Sequence, residues 1–294
     1  MSYIGSSGLP RFTQFLLSHI VDTITYHKMN FVSRRSNVLS TKSIVSSSQP
    51  LASAVGNFIL QSGGNAVDAA VGVAATLAVT EPASTGMGGD MFALFYDAKL
   101  RKVQGINASG RSGTNITFEQ VKKLFPNEFR IPPHHGLAVT VPGVVAGWED
   151  ALNAWGTKTL QEVLSPAISL ARNGFPVSQV SAYWWKRNGE EQLYSDSPFL
   201  PSPQQEGDIR KLPELACSLE IIAKSGKDGF YKGKIAKEIC KAVKEHGGVL
   251  TESDLASHKS TFIDPVKCTY RSDYEVYECP PNGQGLGKPF ILII

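Results

Sequence analysis

The sequence predicts an α+β fold that forms part of an αββα sandwich, with some of the central strands lying outside these 294 residues. Two apolar patterns at helical spacing precede Thr80, and two strand-like runs follow between Met91 and Asn107. Helical patterns return from about 142 to 260, before a last pair of strands. A hydrophobic content of 42% is sufficient for a sizeable core. We therefore expect one composite domain over residues 31–294, with a helical lobe at about 142–260.

The first two predicted helices are separated by a glycine turn. Ser46–Ser48 is a cap-like start for the first helix, and Gly63 and Gly64 end it. Asn65 then caps a second helix over Ala66–Thr80, which is small or aliphatic except for Asp68. A helix that is apolar on all sides is buried between layers. Because an unpaired buried carboxylate costs several kcal/mol, we expect hydrogen-bond partners for Asp68.

Strands and a short helix follow. Met91–Tyr96 and Lys102–Asn107 are predicted to pair across a turn at Asp97–Lys99. Thr117–Gln120 has the pattern of a capping box, and His135–Thr140 predicts a third strand.

The helical lobe is divided by glycine and proline. Three helices are predicted from Pro142 to about Lys186, with breaks at Gly156 and at Gly174–Pro176. Proline and serine in Ser195–Gln205 indicate a surface loop. Further helices near 213–225, 230–246 and 251–257 precede a final strand pair at 266–279.

The most informative segment lies between the second helix and the first strand, at Thr85-Gly-Met-Gly-Gly-Asp90. Gly86, Gly88 and Gly89 can adopt positive φ and permit close approach of a ligand or another chain. Four other motifs occur at separated positions: Gly63-Gly-Asn-Ala-Val-Asp-Ala-Ala70, Val141-Pro-Gly-Val-Val-Ala-Gly-Trp148, Ala171-Arg-Asn-Gly-Phe-Pro176 and Pro280-Pro-Asn-Gly-Gln-Gly-Leu286. In this order and spacing, the motifs resemble the heavy subunit of the γ-glutamyltranspeptidase family, also called glutathione hydrolase proenzymes. Gln104–Arg111 and Pro281–Gly285 are most similar to its glutathione hydrolase-like branch.

The resemblance implies an N-terminal nucleophile hydrolase that is made as a longer chain and cuts itself before a threonine. That threonine, at the start of a light subunit, attacks a γ-glutamyl amide and forms an acyl-enzyme. We therefore expect a light-subunit partner, a small γ-glutamyl or related amide substrate and no cofactor. The nucleophile is expected beyond Ile294, so this chain alone is expected to be inactive. The alternatives are a non-catalytic truncated paralogue or splice product, and a hydrolase of a different acyl-amide.

The resemblance also implies candidate site residues. In the family, an arginine of the heavy subunit binds the substrate α-carboxylate, since a guanidinium contacts two carboxylate oxygens at once. Arg111 lies in the corresponding region, but alignment on the residues that follow places the family arginine at Ser109. Both are candidates for substrate binding. The residues expected to line the site are Thr85, Gly86, Gly88, Gly89 and Asp90. Asp90 either accepts a hydrogen bond from the nucleophile strand or caps the turn.

Composition argues against several other classes. The net charge is only +3 and the lysines are scattered, so we expect no nucleic-acid partner. Neither the histidines nor the four cysteines have metal-ligand spacing; the cysteines are either free thiols or include a Cys268–Cys279 bridge. No run reaches the ~18 apolar residues of a membrane span.

The ends of the chain give three further expectations. Phe15–Val21 is too short for a signal peptide, so we expect a cytoplasmic location. Residues 1–30 match nothing in the family and predict a disordered extension. The apolar end at Gly287–Ile294 departs from the family and indicates a truncated product.

Overall fold

The computed structural model describes residues 37–190, 205–283, 285 and 287. Contacts divide the chain into one unit up to Lys42 and a second from Ser43 onward. The expected extension at 1–30, the loop residues 195–204 and the tail at 288–294 lie outside the described residues. The proposed domain limits stay predictions.

The second unit alternates helices with short antiparallel sheets. Its helices are α1 (Pro50–Gln61), α2 (Ala66–Thr80), α3 (Phe118–Leu124), α4 (Val144–Trp155), α5 (Leu160–Asn173), α6 (Gln179–Glu190), α7 (Pro213–Ser225), α8 (Asp228–Tyr231), α9 (Gly233–Glu245) and α10 (Glu252–Ala256). Its strands are β1 (Met91–Asp97), β2 (Lys102–Ala108), β3 (Phe175–Pro176), β4 (Ile209–Arg210), β5 (Thr261–Ile263), β6 (Val266–Tyr270) and β7 (Tyr274–Glu278). The predicted helices of the 142–260 region and the strand pairs β1–β2 and β6–β7 are confirmed.

The start of α1 differs from the prediction. The cap is Gln49, whose side-chain oxygen accepts hydrogen bonds from the backbone N–H groups of Leu51 and Ala52. Ser48, one of the predicted capping serines, instead donates to the Glu81 carboxylate over 2.8 Å. The prediction was wrong because the longer glutamine side chain, one residue nearer the helix, reaches the free N–H groups of the first turn.

Asp68 has the partners that its burial requires. It closes a capping box with Asn65, which starts α2. Its carboxylate also accepts hydrogen bonds from the Thr157 N–H at 3.0 Å, the Thr157 hydroxyl at 2.6 Å and the Lys158 N–H at 3.1 Å. Burial alone would raise the pKa of Asp68, but these hydrogen bonds outweigh it and the pKa lies below its ordinary value. The expectation of a structural carboxylate is confirmed, and it links α2 to the α4–α5 turn.

The principal sheet has the strand order β1-β2-β5, and both pairs are antiparallel. One face packs on α4, where Phe95 stacks on Trp155 with ring centroids 5.3 Å apart, and Phe262 meets the same indole edge-on at 5.5 Å. On the other face, Phe92 and Tyr96 are 39% and 59% exposed. No described strand pairs with the free edge of β1. The sequence did not predict β5, which is only three residues long.

The predicted strand at His135–Thr140 is wrong. The segment forms a short 3-10 turn over Gly136–Ala138, capped by the His135 ring. The Gly136 N–H donates to the carbonyl of His246 over 2.7 Å, after the end of α9. A β-carbon added to Gly136 would lie 2.5 Å from the backbone nitrogen of Gly248, so the two backbones touch directly. This contact holds the segment against a helix end, where no strand is available to pair with it.

The hydrophobic core lies where α2, α4, α5 and α7 meet. Its largest fully buried side chains are Trp148, Phe175, Ile59, Ile106, Leu164, Leu219, Ile222 and Leu255. The core therefore packs against one side of α4, and the N-terminus of α4 lies against the glycine turn after α2.

Candidate substrate-binding site

The glycine turn joins α2 to β1 and is open to solvent. The N–H groups of Ser84 and Thr85 bond the Glu81 carbonyl, and Gly89 N–H bonds the Gly86 carbonyl over 3.1 Å. Gly86, Gly88 and Gly89 all have a φ outside the positive range. A β-carbon at Gly86 or Gly88 would meet nothing within 4 Å. The glycines therefore leave free space above the turn, and the expected positive φ is not observed.

The end of the turn caps helix α4. The carbonyl oxygen of Gly89 accepts hydrogen bonds from the N–H groups of Gly143 at 2.9 Å and Val144 at 3.0 Å. A β-carbon on Gly143 would lie 1.9 Å from the carbonyl oxygen of Ala108, at the end of β2. Glycine is required at position 143 because three backbone segments meet there. This contact explains why the Val141-Pro-Gly143 motif accompanies the glycine turn.

We call Asn107–Arg111, which comprises the last two residues of β2 and the three that follow, the substrate loop, after the role predicted for it. Its backbone lies against the same motif: a β-carbon on Gly110 would be 1.4 Å from the Val141 carbonyl oxygen. The Val141 N–H donates to the Arg111 carbonyl over 2.9 Å. The backbone at positions 110 and 111 is thus fixed on both sides, which defines where the Arg111 side chain leaves the chain.

Asp90 connects the glycine turn to the substrate loop. One carboxylate oxygen accepts a hydrogen bond from the Gly110 N–H at 2.9 Å, and the other accepts one from the Ser109 hydroxyl at 3.2 Å. These contacts differ from both roles predicted for Asp90: its carboxylate caps the substrate loop rather than its own turn, and a hydrogen bond with the nucleophile strand stays a prediction. Asp90 and Ser109, which were both predicted to belong to one site, are therefore in direct contact.

Asn282 also contacts the substrate loop; the sequence of Asn282–Gly285 predicts either an anion-binding turn near the active site or a plain turn. Its side-chain N–H donates to the Ser109 hydroxyl, and its oxygen accepts from the Asn107 side chain, both over 3.1 Å. The Pro280-Pro-Asn-Gly283 motif indicated this segment, but no local signal predicts a contact between residues 173 positions apart.

Arg111 is exposed and forms no salt bridge within the part of the chain that the structure describes. Thr85 is exposed at the other end of the glycine turn. A guanidinium without a carboxylate partner is available to bind an anionic group. Whether Arg111, Ser109 and the turn residues contact substrate stays a prediction.

His258 is a buried titratable residue near Arg111 that sequence reasoning did not select. It is 8% exposed, and its ring stacks on Tyr231 with centroids 5.4 Å apart. Neither ring nitrogen has a hydrogen-bond partner among the described residues. Burial, and then the positive charge of Arg111, lower the pKa of His258, against the opposing effect of Asp150 and Asp90. The ring is therefore neutral near pH 7.

Tyr231, on which His258 stacks, is hydrogen-bonded to the start of α4. Its hydroxyl donates to the Pro142 carbonyl over 2.7 Å and accepts from the Ala146 N–H over 3.1 Å. Burial raises the pKa of this phenol, so the hydroxyl stays protonated. Tyr231 thus accepts a hydrogen bond from the Ala146 N–H, a backbone donor of the first turn of α4 that does not bond the Gly89 carbonyl.

Residues 37–190 and 205–283 contain neither a metal-binding cluster nor a membrane-spanning helix. No group of three or more His, Cys, Asp or Glu residues is arranged to hold a metal ion there. No helix in the same ranges has the length and apolar character needed to cross a bilayer.

The fold is that of the N-terminal nucleophile hydrolases. Residues 52–294 match the family model for gamma-glutamyltranspeptidase, and the chain belongs to that family. It is 39% identical over 261 residues to the glutathione hydrolase-like YwrD proenzyme of Bacillus subtilis (strain 168), covering 85% of this chain and 48% of the relative. It is 36% identical over 266 residues to the glutathione hydrolase proenzyme of Escherichia coli (strain K12), covering 84% and 44%. The chain thus spans about half the length of these relatives.

Solved structures agree on the fold. The gamma-glutamyltranspeptidase of Helicobacter pylori superposes with a TM-score of 0.78 at 34% identity, over 85% of this chain and 73% of the other. The cephalosporin acylase from Bacillus halodurans superposes with a TM-score of 0.76 at 35% identity, over 87% and 50%. The fold expected from the sequence motifs is confirmed.

Proposed function

We propose that this chain is the heavy-subunit part of an amide hydrolase that acts on γ-glutamyl compounds resembling glutathione. The observation that carries the proposal is the fixed substrate loop beside an open glycine turn, where the Arg111 guanidinium has no carboxylate partner among the described residues. Arginine binds a carboxylate through two parallel hydrogen bonds, and this geometry orients the bound group. The α-carboxylate of a γ-glutamyl donor is the group expected there.

The proposed reaction requires a nucleophile from the partner light subunit. An N-terminal threonine hydroxyl attacks the γ-carbonyl carbon, its proton passes to the threonine α-amine, and the amine half of the substrate leaves with a proton. Water then cleaves the resulting ester, which releases glutamate and regenerates the threonine hydroxyl. In this chain the Ser109 hydroxyl already donates to Asp90, and the Thr251 hydroxyl donates to Asp254 over 2.7 Å. Both residues are internal, so neither hydroxyl has the free α-amine that serves as base in this mechanism, which supports a chain that is inactive alone.

The principal sheet supports the light subunit as partner. Phe92, Leu94 and Tyr96 form an apolar row on the bare face, and the outer edge of β1 has no described strand beside it. A cavity of about 390 Å³ lies between β1 and helices α2 and α4. A free edge and an exposed apolar face are features that a protein normally covers. A second subunit that extends the sheet would cover both.

A second candidate is a hydrolase of another acyl-amide. Ser109 stands at the position to which alignment assigns the family arginine, and its hydroxyl is engaged by Asp90 and Asn282. Arg111 then holds the acyl group from a different point on the loop. The superposed Bacillus halodurans protein is named a cephalosporin acylase, which is compatible with this reading.

Expression of this chain together with the remaining half of its precursor tests the proposal. We expect release of p-nitroaniline from γ-glutamyl-p-nitroanilide, and none from this chain alone. Arg111→Gln should raise KM at least tenfold, because one charge-assisted bidentate pair is worth roughly 1.5–3 kcal/mol. Turnover of glutaryl-p-nitroanilide in place of the γ-glutamyl compound would favour the second candidate. Binding of the two halves without turnover of either amide would favour a non-catalytic paralogue.

A further inference from the structure

Asn282 ties a distant turn to the substrate loop. The turn at Pro280–Gly283 follows β7, and β7 pairs only with β6 among the described strands. The Cys279 thiol, just before the turn, lies 3.9 Å from the Ala93 carbonyl oxygen of β1. The turn therefore lies beside the principal sheet, with Asn282 over the end of β2.

Three residues form a closed ring of hydrogen bonds that includes the Ser109 backbone N–H. Asn282 donates to the Ser109 hydroxyl, Asn107 donates to the Asn282 oxygen, and the Ser109 N–H donates to the Asn107 oxygen over 2.9 Å. The ring also fixes the orientation of the Asn282 amide. If that amide were flipped, its NH₂ group would face the NH₂ group of Asn107, and neither could accept a hydrogen bond.

The ring acts on the loop through the Ser109 hydroxyl. A hydroxyl has one proton, and that of Ser109 goes to Asp90, while a lone pair accepts from Asn282. Hydrogen bonds in such a chain polarise one another and strengthen together. Asp90 in turn holds the Gly110 N–H, which is adjacent to Arg111. The sequence of contacts thus runs from Asn282 through Ser109 and Asp90 to the residue before Arg111.

We infer that Asn282 is a positioning residue that sets the direction of Arg111 by fixing Ser109 and Asp90. The inference rests on the proposed function in one respect, the role of Arg111 in holding the acyl group. Asn282 itself is exposed and belongs to no part of the core. Replacing the Asn282 side chain changes little buried apolar surface. We therefore expect the substitution to alter the substrate loop and to leave the free energy of unfolding unchanged.

The kinetic test uses the full-length protein that contains both halves of the precursor. Asn282→Ala should raise KM about tenfold and change kcat by less than about twofold, since two hydrogen bonds together contribute roughly 1.4 kcal/mol. Asn153→Ala is the matched control, because Asn153 is exposed on α4 and its side chain makes no hydrogen bond within the described residues. A KM for Asn282→Ala equal to that of the control would overturn the inference.

A double-mutant cycle tests the route. In a Ser109→Ala background, Asn282→Ala should raise KM clearly less than it does in the wild-type background, because the contact with the Ser109 hydroxyl is already lost and only the contact through Asn107 remains. Independent, additive effects of the two substitutions would show that Asn282 does not act through Ser109. Equal thermal midpoints of Asn282→Ala and the control separate positioning from a loss of folding.

Amide hydrogen exchange gives a readout that needs no substrate. In the full-length protein, the Gly110 N–H is protected by Asp90, and Asn282→Ala should speed its exchange while the Gly89-bonded Val144 N–H stays unchanged. If the wild-type protein cleaves no acyl-amide, the proposed function fails but this comparison still decides the positioning role. Equal exchange at Gly110 in wild type and variant would refute it.

Discussion

At the scale of single residues, two buried carboxylates connect helix caps to distant segments. Asp68 does so for α2, and Asp254 does so for α10. Asp254 accepts hydrogen bonds from the N–H and hydroxyl of Thr251, and from the N–H and hydroxyl of Thr114 at 3.0 and 2.8 Å. Burial alone would raise the pKa of Asp254, but these hydrogen bonds outweigh it and lower the pKa to about 2.

This pKa predicts an acid transition. Because the folded-state pKa of Asp254 is about 2 and its ordinary value is 3.8, its stabilising contribution is present above about pH 4 and is lost as the pH falls to about 2. Asp254→Asn should lower the free energy of unfolding by about 1–3 kcal/mol at pH 7, through lost capping and charge-assisted hydrogen bonds. It should also flatten the dependence of stability on pH between about 4 and 2. Urea unfolding at several pH values measures both. Glu119→Gln, an exposed residue of α3, is the control.

His258 gives a second pH dependence, at higher pH. Its pKa is lowered by burial and by Arg111, so below its unfolded-state pKa of about 6.5 the unfolded chain binds a proton that the folded chain does not. Stability is therefore highest above about pH 6.5 and falls as the pH drops toward the folded-state pKa. His258→Phe keeps the stacking on Tyr231 and removes the titration, and should remove this part of the slope. An unchanged slope in the variant, or a ring that titrates by NMR at its ordinary value, would contradict the assignment.

At the scale of elements, the sequence predicted what local contacts decide. The predicted helix cap at Asn65 and the predicted capping box at Thr117 each involve residues within four positions of one another, and both are confirmed. The strand at His135–Thr140 was wrong because its conformation is set by His246 and Gly248, more than a hundred positions away. The strand β5 was missed for the same reason, since its three residues form a strand only beside β2.

The close contact between the end of β2 and the start of α4 predicts that alanine substitutions at two glycines will differ sharply in their effect on stability. Gly143→Ala places a β-carbon 1.9 Å from the Ala108 carbonyl oxygen, so the backbone has to move. We expect a loss of about 1–3 kcal/mol of stability or more, as in overpacked cores. Gly88→Ala, in the same site but with nothing within 4 Å, should change stability by less than about 0.5 kcal/mol. Urea midpoints of the two variants measure the difference. Equal midpoints would mean that the close approach at Gly143 is not required.

At the scale of the whole molecule, the site combines segments from the whole described chain. The motifs around Gly89, Arg111, Gly143 and Asn282 were all visible in the sequence, but their mutual contacts were not. Asp90 and Ser109 are 19 positions apart, and Asn282 and Ser109 are 173 apart. Residue identity indicates which segments carry a site, whereas the orientation of a side chain such as Arg111 depends on long-range packing that a pattern of residues does not encode.

The bare face of the principal sheet determines how this chain should behave without a partner. Phe92 and Tyr96 lie on the face of β1 opposite α4 and are 39% and 59% exposed, and no described strand pairs with the outer edge of β1. Apolar strands of this kind pair with copies of themselves. We expect the isolated chain to self-associate as its concentration rises, and the double variant Phe92→Lys with Tyr96→Lys to do so much less. Sedimentation velocity over a concentration series measures the shift.

The control for this prediction is Phe129→Lys, because Phe129 is fully exposed but lies in a loop that is not part of the sheet. If general surface hydrophobicity drives the association, the control will suppress it as well as the sheet variant does. If the sheet face drives it, only the sheet variant will act, and the same double substitution will weaken assembly with the other half of the precursor. A monodisperse wild-type chain with a cooperative thermal transition would show that the sheet is complete without further strands, and would remove this support for a light-subunit partner.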